Sequence, residues 1–145
     1  MSITDLLAQL LGATEEKEVE RTILSLVTIA QTNMNEVVFT AVEKIKNLDF
    51  DGNKWSSLAF TLLENFGWKE PAGSILKTLV YVDPENGAYL NNYAVFLQNS
   101  GRIGDAIEYF ARAYATDYKS QGHEKASTFP AWTNLHQIAM NIRLK

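Results

Sequence analysis

Several kinds of chemistry are excluded by residues that this 145-residue chain lacks. It contains no cysteine, which rules out thiol catalysis, disulfide bonds and metal sites built from thiolates. No apolar run approaches the roughly 20 residues that span a bilayer. The N-terminus has no basic region followed by a long apolar core, so we expect no signal peptide. These features fit the cytoplasm, and we predict that location and no membrane contact.

The charged residues and the histidines argue against three further classes of function. The formal net charge is −4 and the basic residues are scattered, which opposes nucleic-acid binding. The nearest approach to a basic cluster, Lys119, His123 and Lys125, is typical of a solvated loop. His123 and His136 have no carboxylate pair at ligand spacing and form neither a zinc nor a triad signature. We therefore predict no catalytic residues, no metal and no cofactor.

A period of 34 residues runs through most of the chain. The positions that repeat at this spacing are Asp49, Asp83 and Asp117; Asn33, Gly67 and Gly101; Val38, Ala72 and Ala106; and Val42, Leu76 and Phe110. A fixed period of this length marks stacked helical hairpins. No segment alternates with period two for long enough to be a convincing strand. The sequence therefore predicts an all-α protein with eight helices in antiparallel pairs.

Apolar residues at helical spacing predict which face of each helix is buried. In chain order, the predicted faces are Ile3, Leu6, Leu7, Leu10 and Leu11; Ile23, Leu26, Val27 and Ala30; Val38, Ala41, Val42 and Ile45; Leu58, Leu62 and Leu63; Ala72, Ile75, Leu76 and Leu79; Leu90, Tyr93, Ala94 and Leu97; Ile103, Ala106, Ile107, Phe110 and Ala113; and Trp132, Leu135 and Ala139.

Capping and turn residues predict where the first helices begin and end. Gly12 is a natural stop, and Thr14 can cap the following helix. The polar residues 31–35 and the sequence Asp-Gly-Asn at 51–53 are typical of turns. Further signals are a left-handed C-cap at Gly67 and a first-turn proline at Pro71.

Three signals divide the C-terminal half in the same way. Asp83-Pro84-Glu85 combines a cap, a proline and an acidic first turn, which predicts a helix start there. Gly101 closes the next turn. Residues 118–125 are polar and break the period, and Ser127 or Thr128 then starts a last helix with Pro130 in its first turn.

The stretch from Asp83 to Asp117 resembles a tetratricopeptide repeat. Counted from Gly87, the matching positions are Leu90 (fourth), Tyr93 (seventh), Ala94 (eighth), Leu97 (eleventh), Gly101 (fifteenth), Ala106 (twentieth), Phe110 (twenty-fourth) and Ala113 (twenty-seventh). The small residues let two helices approach closely, while Tyr93, Leu97 and Phe110 fill the space around them. The run from Asp105 to Phe110 is especially similar to the family.

Two earlier stretches are weaker copies of this repeat. Residues 53–86 keep Gly67, Ala72 and Pro84 at matching positions, but Phe60 occupies a normally small position. Residues 19–52 match by period and apolar pattern alone. The length of 145 residues predicts a single domain. The resemblance implies that it is a right-handed stack of about three hairpins at 19–52, 53–86 and 87–120. An N-terminal cap at 1–18 and a loop and capping helix at 121–145 complete it.

The resemblance also implies a concave groove lined by the first helix of each hairpin. By position, its residues are Lys54, Ser57, Leu58, Thr61 and Glu64 from the second repeat and Ala88, Asn91, Asn92, Val95 and Asn99 from the third. An asparagine amide both donates and accepts, so Asn91 and Asn92 suit a peptide backbone of any sequence. Lys54 is a candidate cation in this groove, but no second lysine or arginine accompanies it. This argues against the binding of charged C-terminal tails.

These features predict a non-enzymatic module that binds a partner protein or peptide, as an adaptor or chaperone. An immunity protein that blocks a toxin or an enzyme fits as well. An enzyme with a pocket between repeats is a remote alternative, because no catalytic constellation is present. Trp55, Trp68 and Trp132 can be interface anchors or packing residues. The leucine stripe of the N-terminal helix must cover the first repeat or form a homodimer contact.

Overall fold

The computed structural model describes residues 2–47 and 52–143, and these ranges contain helices and short connections without a β-strand. The helices are α1 (Ile3–Gly12), α2 (Glu16–Lys46), α3 (Gly52–Phe66), α4 (Lys69–Val82), α5 (Gly87–Asn99), α6 (Ile103–Gln121), a 3-10 helix (His123–Thr128) and α7 (Pro130–Arg143). The all-α prediction is confirmed. None of these helices has the length and apolar character needed to traverse a bilayer. The chain divides into two compact units, unit 1 at residues 1–82 and unit 2 at residues 83–145.

Helix α1 opens unit 1 and packs its leucine stripe against α2. A capping box starts it, because the Ser2 hydroxyl accepts from the Asp5 N–H at 3.1 Å and the Asp5 carboxylate accepts from the Ser2 N–H. Ile3, Leu6, Leu7 and Leu10 are buried, so the stripe is covered within its own chain. The helix ends at Gly12 as predicted.

Helix α2 departs from the prediction at both its start and its middle. It begins at Glu16 after Glu15, which makes no side-chain cap, so the cap predicted at Thr14 is wrong. Two helical segments meet at Asn33, whose φ of −129° and ψ of 43° are not helical. The break predicted within residues 31–35 is therefore present, as a kink at one residue and not as a turn. This stretch is polar but contains neither proline nor glycine, so the break is confined to the single residue Asn33.

The kink is followed by a different buried face from the one predicted. Val37, Ala41 and Ile45 are buried, while Val38 and Val42 are only half-buried. Two predicted helices are therefore halves of one kinked element, and the described residues contain seven α-helices where eight were expected.

Helices α3 and α4 pack against each other and complete the core of unit 1. Helix α3 already includes Gly52 and Asn53, which corrects the turn predicted there; Asp51 lies outside the described residues. Gly67 has φ +67° and confirms the predicted left-handed cap, and Pro71 lies in the first turn of α4 as predicted. The buried core includes Trp55, Leu58, Ala59, Leu62, Ala72, Ile75, Leu76 and Leu79.

Unit 2 is built on the hairpin of α5 and α6. Helix α5 begins at Gly87, later than the start predicted at Asp83-Pro84-Glu85, because Asn86 is the cap. The Asn86 side chain accepts from the Tyr89 N–H at 3.1 Å and donates to the Asp83 carboxylate at 3.2 Å. Gly101, at φ +82°, closes the hairpin turn as predicted. There the Arg102 N–H donates to the Leu97 carbonyl and the Gly101 N–H to the Gln98 carbonyl, as in a Schellman motif.

The predicted inner face of α5 is buried throughout, but that of α6 only in part. Ala106, Phe110 and Ala113 are fully buried, whereas Ile103 and Ile107 are more than a third exposed. Helix α6 continues to Gln121, so the polar break predicted at 118–125 begins later than expected, at Gly122 with φ +86°.

The last helix presents another face to the core than the one predicted. Phe129, Ala131 and Ile138 are buried, whereas Trp132 and Ala139 are exposed. A 3-10 helix occupies 123–128, so α7 starts at Pro130 and not at Ser127 or Thr128. Helix α7 packs on α6 and on the 3-10 helix.

Candidate partner-binding surfaces

Lys54, the candidate cation of the predicted groove, is engaged inside unit 1. Its ammonium donates to the carbonyl oxygens of Leu11 at 2.8 Å and Ala13 at 2.6 Å. These carbonyls lie at the C-terminal end of α1, where helix carbonyls lack intrahelical donors and the dipole favours a cation. Lys54 therefore fastens α3 to the end of α1.

The other predicted residues of α3 differ in their exposure. Leu58 is fully buried, which makes it a core residue rather than a groove residue. Ser57 is exposed and Thr61 half-buried, and their hydroxyls donate to the Asn53 and Ser57 carbonyls respectively. Glu64 is exposed. The polar residues that α3 presents are thus Ser57, Thr61 and Glu64.

The predicted residues of α5 lie at the surface of unit 2. Ala88 and Asn99 are exposed, and Asn91, Asn92 and Val95 are half-buried. The Asn91 side-chain oxygen accepts from the Asn134 amide of α7 at 3.2 Å. Asn91 therefore helps to hold α7 in place, which reduces what it can offer to a partner. The predicted groove residues belong to both units, those of α3 to unit 1 and those of α5 to unit 2.

A cavity that the sequence did not indicate lies in unit 1, between the second half of α2 and α4. Its volume is about 860 Å³, and we call it the α2–α4 groove. Its apolar lining comprises Met34, Val38, Phe39, Val42, Pro71, Tyr81 and Val82. Phe39 and Tyr81 are 66% and 78% exposed, although each is a large aromatic side chain. The groove therefore offers apolar surface to solvent on both of its helices.

The charges beside this groove are Lys46, Glu70 and Lys77. Both lysines are exposed, and within the described ranges neither makes an ion pair or a side-chain hydrogen bond. Two lysines against one glutamate make the groove positive, while the chain as a whole carries −4. Thr78 donates its hydroxyl to the Ser74 carbonyl at 2.7 Å, so it is occupied within α4.

Phe39 and Tyr81 escaped the sequence analysis because they do not follow the repeat. The period assigns Val38 and Leu79 to buried faces, and each aromatic lies one or two residues away, outside the buried stripe of its helix. A single exposed aromatic is normal at a protein surface, whereas two that line the same cavity form one apolar patch, and only the structure shows that Phe39 and Tyr81 do so.

The three tryptophans and the histidines named in the sequence analysis differ in how far they are exposed. Trp55 is fully buried, and its indole N–H has no hydrogen-bond partner among the described residues. Trp68 is half-buried, and Trp132 is 39% exposed and stacks on the exposed His136 with ring centroids 5.1 Å apart. The side chain of His123 lies outside the described residues.

Among the described residues, no three His, Cys, Asp or Glu side chains are grouped so that they can hold a metal ion. Within the part of the chain that the structure describes, the two ionisable groups with shifted pKa values lie in unit 2, and burial is the main cause for both. Burial, with the Tyr109 ring beside it, raises the pKa of Tyr93, and burial raises the pKa of Asp117.

Comparisons with known proteins found no relative of this chain. No protein-family model, curated protein or solved structure matches the chain.

Proposed function

We propose that this protein is a non-enzymatic protein-binding module, an adaptor or chaperone built from tetratricopeptide-like hairpins. The α5–α6 hairpin supports the repeat assignment, because α5 begins at Gly87, the first position of the pattern. The other matching residues of both helices are buried: Leu90, Tyr93, Ala94, Leu97, Ala106, Phe110 and Ala113. Proteins built from such repeats bind partners on extended surfaces.

The observation that carries the binding function is the α2–α4 groove. Contiguous exposed apolar surface on a protein of this size marks an interaction site. Phe39 and Tyr81 are the type of side chain that dominates binding energy when a partner covers it. They lie on different helices that line the same open cavity, so one partner segment can cover both.

The chemistry of the groove favours binding over catalysis. Its lining contains no histidine and no cysteine, and the Thr78 hydroxyl is bonded to its own helix. The partner that fits is an apolar segment, either an amphipathic helix or an extended peptide, with carboxylates that reach Lys46 and Lys77. The half-buried face around Asn92 and Val95 on α5 is the alternative surface for the same function.

Site-specific photo-crosslinking in the native host tests this proposal. A photoreactive phenylalanine analogue at position 39 or 81 should capture the same partner, and the analogue at the control position Leu24 should not. Leu24 is a suitable control because it is 57% exposed on the first half of α2 and does not line the groove. The captured partner is then purified for calorimetry.

Calorimetry with the purified partner locates the binding surface. We expect Phe39→Ser to weaken binding at least about tenfold, as for a truncated interface anchor, and Leu24→Ser to leave it within about twofold. If Asn92→Ala and Val95→Ala abolish binding while Phe39→Ser does not, the α5 face is the site and the groove assignment is wrong. If neither set matters, the binding function fails as proposed. Loss of a captured enzyme's activity in the complex would identify the protein as an inhibitor.

A further inference from the structure

We propose that Asn86 is a modification site, at which the chain deamidates spontaneously and irreversibly when the start of α5 opens. Asn86-Gly87 is the one asparagine–glycine pair in the sequence. Asparagine is a thermolabile residue, and a following glycine makes it more so, because glycine has no Cβ to hinder the approach of its backbone nitrogen. The hydrogen bonds of the α5 cap control when the reaction can begin.

The reaction needs only the chain itself and water. The Gly87 nitrogen attacks Cγ of Asn86, the new N–Cγ bond closes a succinimide ring, and the Cγ–Nδ2 bond breaks. The amide group leaves as ammonia, with the proton that the Gly87 nitrogen gives up. Water then opens the ring at either carbonyl. One opening leaves aspartate at position 86, and the other leaves isoaspartate, in which the main chain runs through the former side chain.

The fold itself uses both members of this labile pair. At Gly87, a Cβ would overlap the Asp117 carboxylate, so any other residue there displaces it. The Asn86 side chain accepts from the Tyr89 N–H at 3.1 Å and donates to the Asp83 carboxylate at 3.2 Å. Aspartate caps a helix as well as asparagine does, but an ionised carboxylate has no proton to donate to Asp83. The reactive pair is therefore part of the cap of α5.

The same hydrogen bonds hold the amide away from the Gly87 nitrogen. Tyr89 engages the oxygen of the Asn86 amide, and Asp83 engages its nitrogen. The Asn86 carbonyl accepts from the Leu90 N–H at 3.0 Å, which fixes the peptide unit between Asn86 and Gly87 at the start of the helix. Gly87 is also buried. Ring closure therefore requires the amide to leave both partners, so the start of α5 must open first.

Conversion weakens the cap at which it occurs. In the aspartate product, a carboxylate faces Asp83 where the amide donated, and like charges at that distance repel each other. In the isoaspartate product, the main chain is longer ahead of Gly87, so the side chain loses its register with the Tyr89 N–H. Either product leaves α5 easier to open than before.

Peptide mapping of the full chain by mass spectrometry, during incubation near neutral pH, tests the control by the cap. Asn86 should convert at least about tenfold more slowly in the folded chain than in denaturing urea. Asp83→Ala leaves the Asn86-Gly87 pair intact and should accelerate conversion in the folded chain at least about threefold, because Nδ2 loses its acceptor. The matched control Glu85→Ala removes an exposed carboxylate from the same connection and should stay within about twofold of wild type. In urea the three chains should convert alike.

Two results in this experiment would overturn the proposal. One is a wild type that converts as fast when folded as in urea, and the other is an Asp83→Ala variant that converts no faster than Glu85→Ala. Ala113→Gly separates opening of the cap from global unfolding, because it lowers stability from α6. If it accelerates conversion as much as Asp83→Ala for each degree of melting temperature lost, global unfolding controls the reaction and the cap does not.

The Asn86→Asp variant reproduces one product and tests its consequence. It should lower the melting temperature measured by circular dichroism, because two carboxylates then face each other. Combining it with Asp83→Asn exchanges donor and acceptor, and the double variant should regain most of the loss. A single variant as stable as wild type, or a double variant no more stable than the single one, would show that conversion does not weaken the cap through Asp83.

Discussion

The α5–α6 hairpin and the α2–α4 pair are both built from helices lined with apolar residues, but one is closed and the other is open. In the hairpin, Ala94, Ala106 and Ala113 are fully buried, and Phe110 is covered completely. In the α2–α4 pair, Val38 and Val42 are half-buried and Phe39 stands 66% exposed beside the cavity.

Side-chain size accounts for this difference. Alanines at the contact let two helices approach until the larger residues fill the remaining space. Where the period puts alanine in the last repeat, at Ala106, the first repeat has Val38. Branched residues at such positions, together with the kink at Asn33, keep the second half of α2 from closing over α4. The same position of the 34-residue period is thus covered in one place and lines an open cavity in the other.

The largest expected effect on stability comes from comparing a buried phenylalanine, Phe110, with an exposed one, Phe39. Phe110→Ala should destabilise the protein by about 3–5 kcal/mol, because it leaves a cavity in a fully packed site. Phe39→Ala should change the free energy of unfolding by no more than about 0.5 kcal/mol, since its ring is mostly in water. Urea denaturation followed by circular dichroism measures both.

A large cost at Phe39 would break the comparison. It would mean that the Phe39 ring is covered in the free protein, by a second copy for example, and that the groove is not open in solution. Repeating the Phe39→Ala measurement at several protein concentrations identifies that case, because stability from association depends on concentration.

The sequence predicted the helices of this protein better than their boundaries. Apolar periodicity and the glycines identified the buried residues of α1, α4 and α5 and the turns at Gly67 and Gly101. At residues 31–35 it predicted a turn, and the structure has a kink at Asn33 between two helical segments. Without proline or glycine the break is confined to one residue. It also placed the start of α5 too early, because Pro84 and Glu85 form a turn and Asn86 caps the helix.

The candidate surfaces were harder to predict for a physical reason. A repeat pattern reports what neighbouring helices have in common, whereas a binding surface depends on residues that differ, such as Phe39 and Tyr81. Lys54 could not be predicted for the same reason. Its position in the repeat does not indicate that its ammonium donates to the carbonyls of Leu11 and Ala13, more than 40 residues earlier. Such contacts arise from packing and leave no local signal in the sequence.

Replacement of Lys54 tests whether it serves stability or binding. Lys54→Met keeps most of the side-chain volume but leaves the Leu11 and Ala13 carbonyls without a donor, which should cost about 1–3 kcal/mol. Lys77→Met is the matched control, since Lys77 is exposed beside the α2–α4 groove, and should stay within about 0.5 kcal/mol. Equal costs for both variants in chemical denaturation would contradict the fastening role of Lys54.

The smallest effect concerns Asp117, whose carboxylate lies against Gly87 at the start of α5. A methyl group added at Gly87 would overlap this carboxylate, so the two are in close contact. The helix dipole favours a negative charge there, whereas burial opposes it. The pKa of Asp117 is raised from the ordinary 3.8, which means that burial prevails.

This shift fixes the sign of a pH dependence. With its pKa raised on folding, Asp117 binds its proton more tightly in the folded state, so its contribution to stability falls as the pH rises from 3.8 through the folded pKa. Asp117→Asn cannot ionise, so its melting temperature relative to wild type should be higher at about pH 7 than at about pH 3. Glu108→Gln, an exposed carboxyl on the same helix, corrects for the general effect of removing a charge. If the corrected difference runs the other way, the dipole of α5 outweighs the burial of Asp117.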